Sequence, residues 1–325
     1  MSVELAMTSL DVVIPTYNRP DLLARTLESL ALAEWPSDAQ IGVIVVDNNS
    51  RPDLSAQNRT LCEESSIAAR VACIVETQQG RSAALNAGVA HSCAKFIGFI
   101  DDDERVHPRW LQVAWEYVLA DTVDYVGGPC LPDWEDVPPP WLPVHCGKYV
   151  GVIGWIEQGE VLRSFDSFGG TLCGGNSVIR RLAIEEIGGF RTKLGRSQND
   201  LMGGEDEALH RALKATGKSG VYDPRLAILH YVPKARMTRR YHLRWAFWSG
   251  VSNGVRSRWE SPEPVRYLLG VPLYRVGLAA RGAASYLVGM IGRKPASQSQ
   301  RFAGLMDGAY VAGMVYGRYW HRRPR

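Results

Sequence analysis

Short apolar runs that close on polar, turn-forming clusters alternate with helix-period segments along the first two thirds of the chain. Leu10-Asp11-Val12-Val13-Ile14-Pro15 is almost wholly apolar and stops at a proline, the pattern of a buried strand leaving a sheet. Asn18-Arg19-Pro20-Asp21 then opens a helix. Its proline suits the first helical position, Asp21 complements the dipole, and Leu22, Leu23, Leu27 and Leu30 recur on one face. A second apolar run, Ile41 to Val46, closes on Asp47-Asn48-Asn49-Ser50. The alternation continues with a strand over Val71–Val75, a small-residue helix over Ser82–Ala90, a strand over Phe96–Ile100 and a helix over Pro108–Leu119. Residues 129–145 carry too many prolines for regular structure and are expected to form a long loop. Order resumes at Ser177–Arg181, with a helix over Glu205–Ala215 and a strand over Leu226–Leu229.

Strands alternating with helices predict an α/β fold, a three-layer and mostly parallel sheet. Ligands of such sheets collect at the carboxyl ends of the strands. Three strands here end in Thr16-Tyr17-Asn18, Asp47-Asn48-Asn49 and Asp101-Asp102-Asp103, so one shared site is expected.

Composition narrows the picture. The chain has 325 residues, 46% of them hydrophobic, enough for two ordinary domains or one α/β domain with an appended piece. Six cysteines lie scattered without a C-x-x-C pair, which predicts neither a zinc knuckle nor a disulfide framework and fits a reducing cytosol. No signal-peptide pattern opens the chain, and no uninterrupted apolar run is long enough to span a bilayer. The expected location is cytoplasmic, with peripheral attachment to the inner face of the cell membrane as the further option.

Charge divides the chain. Up to His230 there are 20 Lys+Arg against 31 Asp+Glu; beyond it there are 17 against 3, within an overall +3. A basic end of this kind suits a polyanionic surface, or is simply a solvated face. Residues 264–292 are apolar but interrupted by Arg266, Pro272, Arg275 and Arg281, and 302–320 mix Phe302, Tyr310, Tyr316 and Trp320 with Arg318. Aromatic and aliphatic side chains among arginines suit an anionic headgroup boundary; a helical domain packed on protein, or on a second copy of the chain, is the alternative.

The triplet Asp101-Asp102-Asp103 puts three carboxylates where a buried strand meets the surface. Like charges so close need compensation, and hard divalent ions such as Mg²⁺ or Mn²⁺ take carboxylate and phosphate oxygens together. An acidic helix start before Pro108 would also account for them. Glu205-Asp206-Glu207 opens a helix, where the dipole favours acids without any catalysis. His230 ends an apolar run and is either a metal or phosphate contact or a backbone-bonded histidine. Gly169-Gly170 and Gly174-Gly175 permit close backbone approach to a ligand or serve tight turns.

Taken in order, these pieces resemble the family 2 glycosyltransferases, inverting enzymes with the A-type nucleotide-sugar fold. Val12-Val13-Ile14-Pro15-Thr16-Tyr17-Asn18-Arg19 looks like the family's opening strand and turn, and Val45-Val46-Asp47-Asn48-Asn49-Ser50 like its second strand end. Gly80-Arg81 with Asn86-Ala87-Gly88 looks like its next helix, Phe99-Ile100-Asp101-Asp102-Asp103 like its DxD element, and Gly204-Glu205-Asp206-Glu207 like its later acidic motif. The resemblance is collinear over roughly residues 8–235, which makes 1–235 the expected catalytic domain and 236–325 a basic, helical C-terminal region.

The resemblance implies a role for each matching residue. Pro15, Tyr17 and Asp47 would line the base and ribose pocket and Arg81 would approach the nucleotide. Asp101 and Asp102 would reach the ribose and sugar, and Asp103, with His230, would hold Mn²⁺ or Mg²⁺. Gly175 and Asn176 would border the acceptor, and Asp206 would be the general base, with Glu205 as its alternative. The donor implied is a nucleotide sugar, expected to be UDP-linked; the acceptor is a glycan or a lipid-linked hydroxyl. Arg244-Trp245 resembles the end of the Q-x-x-R-W motif of processive polysaccharide synthases, but Tyr241 stands where the glutamine would, which favours one sugar per encounter. Neither G-x-G-x-x-G nor a P-loop follows the first strand, and no nucleic-acid-binding module is present, so dinucleotide, ATPase and nucleic-acid readings fall away. The remaining rival is a saccharide- or membrane-binding protein that keeps the fold without the reaction.

Overall fold

The computed structural model describes residues 9–192, 204–258, 265–291 and 298–321. Residues 264 and 292, the ends of the first interrupted apolar stretch, lie outside them. The described chain divides into two compact units. One holds the residues up to Asp133, those from Trp155 to 192, and Gly204–Tyr231; the other holds Trp134–Gly154 and the residues from Val232 on.

In chain order the first runs β1 (Leu10–Thr16), α1 (Pro20–Ala31), β2 (Ile41–Asp47), α2 (Pro52–Glu64), β3 (Val71–Val75), α3 (Arg81–His91), β4 (Phe96–Ile100) and β5 (Glu104–Val106). There follow α4 (Trp110–Ala120), β6 (Tyr125–Gly127), β7 (Cys130–Trp134), β8 (Arg163–Ser164), β9 (Asn176–Arg180), α5 (Arg181–Glu186), α6 (Glu205–Ala215), β10 (Gly220–Tyr222) and β11 (Ile228–Val232). Eight strands form the main sheet in the order β3-β2-β1-β4-β9-β6-β10-β8, and only β9 and β8 run against the others. Successive strand residues serve opposite faces. Leu10, Val12 and Ile14 pack with Leu23, Leu27 and Leu30 of α1 and Trp110 and Leu111 of α4. Val13, Ile44 and Phe99 pack with Ala84 and Leu85 of α3 and Leu209 and Leu213 of α6. Burying each such side chain is worth about 1.5–3 kcal/mol. The small residues of α3 have a steric reason: a Cβ on Gly88 would stand 2.4 Å from Val13 Cγ1.

Two expectations change, and one helix has no counterpart in the apolar pattern. The triplet does not open a helix, because the chain continues as β5, which pairs antiparallel with β11 in a second sheet ordered β5-β11-β7. Residues 129–145 are not all loop: Cys130–Trp134 is the strand β7, whose edge position tolerates Pro132. The helix α2 escapes the periodicity argument because only Asn58 and Cys62 of its polar sequence are buried.

The second unit contains α7 (Arg239–Arg256), α8 (Leu273–Ile291) and α9 (Gln298–Tyr319). Glycines bring the α7 and α9 backbones together: a Cβ on Gly250 would stand 2.1 Å from the Tyr310 carbonyl oxygen, and one on Gly313 would stand 2.0 Å from that of Phe247. Trp141 meets His242 and Phe302 edge-on, with centroids 5.5 and 4.9 Å away. Among the described residues no helix is long and apolar enough to cross a membrane.

Two buried imidazoles make stability acid-sensitive. Burial pushes His210, and separately His242, down to about 4 from the ordinary 6.5. The unfolded chain therefore binds these protons first, so stability is full above pH 6.5 and falls as pH drops towards 4, by up to about 3 kcal/mol per histidine. Urea midpoints at pH 7.5 and 5 should show the drop, and His210→Phe should narrow it; an unchanged slope in that variant would refute the assignment.

Candidate active site

The turn between β4 and β5, with the first residue of β5, carries four successive carboxylates, Asp101 to Glu104, and each takes a different environment. Asp102 is fully buried, accepts a hydrogen bond from Thr16 Oγ1 at 2.8 Å and pairs with Arg19 at 2.5 Å. Burial pushes its carboxyl up to about 7; Arg19 and Thr16 oppose the shift, and Asp103 and Asp101 add to it. The Arg19 guanidinium also reaches Asp103 at 3.0 Å. Thr26 Oγ1, on α1, donates to the carbonyls of Asp102 and Glu104 at 2.8 and 2.7 Å, which ties the turn to that helix. Glu104 turns back and accepts from the Asp101 backbone N–H at 2.7 Å. Burial, with Asp101, Cys173 and Asp103 nearby, holds its carboxyl well above the usual range.

Arg81 links distant parts of the chain. At the first turn of α3 it donates from Nε to Asp101 at 2.8 Å and from Nη1 to Asp206 at 3.1 Å. Burial alone would lower its affinity for a proton, but Asp101, Asp206 and Glu205 outweigh this and keep it firmly cationic. Asp206 lies at the start of α6, 38% exposed, while the Asp101 side chain is 26% exposed. Between them passes Gly174-Gly175. A Cβ on Gly174 would fall 1.8 Å from Asp206 Oδ1, and one on Gly175 would fall 2.5 Å from Glu104 Oε1 and 2.9 Å from Asp101 Oδ2. A side chain on either glycine would therefore displace these carboxylates.

The ends of β1 and β2 meet beside this cluster, with Pro15 opposite Val46 and Thr16 opposite Asp47. Pro15 is buried and Tyr17 half-buried. Asp47 points inward: one oxygen accepts from the Ser50 N–H at 2.9 Å and the other from Asn58 Nδ2 at 3.2 Å. Burial would raise its pKa, but bonds from Ser50, Ser55 and Asn58 prevail and hold it below the carboxylate range. Asp47 therefore shapes the turn after β2 through these bonds. Asn176 is likewise committed. Fully buried, its amide donates to the carbonyls of Pro129 and Leu226 at 2.9 and 2.7 Å and accepts from Trp110 Nε1 at 2.8 Å.

The sequence reading overlooked several residues. Arg19, the residue before α1, neutralises Asp102 and Asp103. Asn48 binds the carbonyls of Glu76 and Gln78 and accepts from the Gly80 N–H, fixing the loop that delivers Arg81. A basic residue beside the opening strand and an amide at a strand end were the available signals.

For a divalent ion, Asp103 and His230 are the pertinent pair. Asp103 Oδ1 lies 3.8 Å from His230 Nε2, and β11 fixes this through the Tyr231 N–H, which donates to the Asp103 carbonyl at 2.8 Å. One carboxylate and one imidazole at this spacing, beside further carboxylates, fit a divalent ion that shares its shell with phosphate oxygens.

The family model described as "Glycosyl transferase family 2" matches residues 11–188. The succinoglycan biosynthesis protein ExoM of Rhizobium meliloti is 29% identical over 246 residues, covering 75% of this chain and 74% of that protein. The UDP-forming cellulose synthase catalytic subunit of Xanthomonas axonopodis is 28% identical over 186 residues, 56% of this chain but 24% of its own length. Among solved structures, a mannosyltransferase of Pyrobaculum calidifontis in complex with GDP-Man and Mn²⁺ has the same fold, with a TM-score of 0.63 at 19% identity, covering 95% of this chain and 87% of that one.

Asn176 offers a direct test of the internal role. Asn176→Ala leaves the buried Leu226 carbonyl and Trp110 indole N–H unsatisfied, while the Pro129 carbonyl keeps the Ile228 N–H, and should cost about 3 kcal/mol of stability. Chemical denaturation checks this; a loss below about 1 kcal/mol would return the residue to ligand binding.

Proposed function

Because the chain belongs to glycosyl transferase family 2, a family of transferases, we propose that it is an inverting, metal-dependent glycosyltransferase. It moves one sugar from a nucleoside-diphosphate sugar to a hydroxyl of a glycan or lipid-linked acceptor. The observation that carries this reading is the Arg81 bridge, 2.8 Å to Asp101 and 3.1 Å to Asp206, which gathers motifs far apart in the chain around one cation.

In this reading Asp103 and His230 hold Mn²⁺ or Mg²⁺, which when bound offsets the charge developing on the leaving diphosphate. Asp101 makes the ribose or sugar contact, while the buried Asp102 acts through Arg19 and Thr16. A diphosphate drawn to Arg81 competes with Asp206 for the guanidinium. Asp206 then accepts the proton of the acceptor hydroxyl as that oxygen attacks the anomeric carbon opposite the diphosphate. The new glycosidic bond forms as the sugar–phosphate bond breaks, with inversion. Glu205, one residue earlier on α6, is the alternative base. A uridine donor is supported by the likeness to a UDP-forming synthase subunit, and a role in polysaccharide assembly by the likeness to a succinoglycan biosynthesis protein. Contact with an anionic membrane surface is supported by exposed Leu268, Leu269, Leu287 and Trp320 in a region rich in arginine.

Transfer from a panel of nucleotide sugars, with and without Mn²⁺ or Mg²⁺, tests the proposal. Asp206→Asn should retain donor affinity yet lose turnover by on the order of 10²–10⁴-fold. Asp103→Ala should abolish the metal stimulation. Undiminished transfer by Asp103→Ala in the presence of a chelator would sink the metal role, and undiminished turnover by Asp206→Asn would move the base elsewhere.

A further inference from the structure

Behind the acidic turn lies a second group of ligand-type side chains that the transfer reaction does not use. Glu104, Cys130 and Cys173 come from β5, β7 and the segment before β9, and one potential ligand atom of each lies within 4.8 Å of the other two. All three are buried. The Cys130 and Cys173 sulfurs lie within 4.8 Å of each other and so share one side of the cluster. Glu104 accepts from the Asp101 N–H at 2.7 Å, which sets the group directly behind the acidic turn. Three potential anions buried together are costly by themselves and are relieved by a cation.

We propose that Glu104, Cys130 and Cys173 form a binding site for a thiophilic divalent cation of the Zn²⁺ class, separate from the Asp103–His230 pair. Zinc bonds of about 2.3 Å to sulfur and about 2.1 Å to oxygen put tetrahedral ligands roughly 3.5 Å apart, which a modest contraction of this cluster supplies. Two thiolates select Zn²⁺ or Cd²⁺ over Mg²⁺ and Mn²⁺, whereas the carboxylate–imidazole pair has no such preference for soft ions. Binding exchanges the two thiol protons for the cation. Occupancy also acts on the neighbouring turn, because Glu104 holds the Asp101 backbone and Cys173 precedes Gly174-Gly175, which passes between Asp101 and Asp206.

Cd²⁺ is the probe, since thiolate coordination gives it an ultraviolet charge-transfer band. Titration of the reduced full chain should give a band that saturates at one equivalent. Affinity should fall roughly a hundredfold in Cys130→Ser and in Cys173→Ser, and about tenfold in Glu104→Gln, while Asp103→Ala and Cys62→Ser keep it. The absence of a saturable band, or a band of unchanged affinity in the Cys130→Ser/Cys173→Ser double variant, would overturn the site. Unchanged affinity in Glu104→Gln would overturn its third ligand. Should the cysteine variants fail to fold, thiol alkylation of the wild-type chain in urea below its unfolding midpoint decides. Equimolar Cd²⁺ should protect the Cys130 and Cys173 peptides and leave the exposed Cys93 reactive; equal labelling with and without Cd²⁺ refutes the proposal.

Discussion

Four carboxylates on consecutive residues at the end of a buried strand repel one another by several kcal/mol at the low effective dielectric of such a place, and the site is organised by what offsets them. Arg19 does so from the start of α1, reaching Asp102 and Asp103 together. Arg81 does so from the start of α3, reaching Asp101 and then Asp206. Glu104 takes no ion pair among the described residues and sits in a pocket that favours its neutral form. The two arginines follow the first and third strands of the sheet, so compensation of the cluster depends on the parallel register that aligns those strand ends.

Close backbone approach is the second constraint. Gly174 and Gly175 run against Asp206, Glu104 and Asp101 with no room for a side chain, so the acidic wall and the glycine segment require each other. The same device recurs in the C-terminal helices, where Gly250 and Gly313 bring α7 and α9 to backbone contact. In the first case small residues keep charged groups accessible to a ligand; in the second they let two helices pack without large apolar side chains between them.

The alternation of apolar runs and helical segments was enough to read β1, β2, β3, β4, α1, α3 and α4, because buried parallel strands are apolar throughout and their ends are punctuated by turn residues. It was not enough for α2, whose exposed polar sequence gives little periodicity, or for β5 and β7, which are short, carry charge or proline, and exist only through pairing in the small sheet. The candidate site was legible as a set of strand ends and an acidic motif. The division of labour within it was not, since no local pattern shows that Asp47 and Asn176 also carry internal hydrogen bonds.

The sequence by itself determined the α/β class, the family resemblance and the identity of the acidic residues, because hydrophobic period, strand-end chemistry and collinear motifs are local properties. Tertiary structure decided which carboxylate is buried and which is partly exposed, that Arg19 and Arg81 hold the cluster together, and that Glu104, Cys130 and Cys173 converge. Those outcomes depend on how non-adjacent strands are ordered, with β9 inserted antiparallel between β4 and β6, and no local pattern encodes that order.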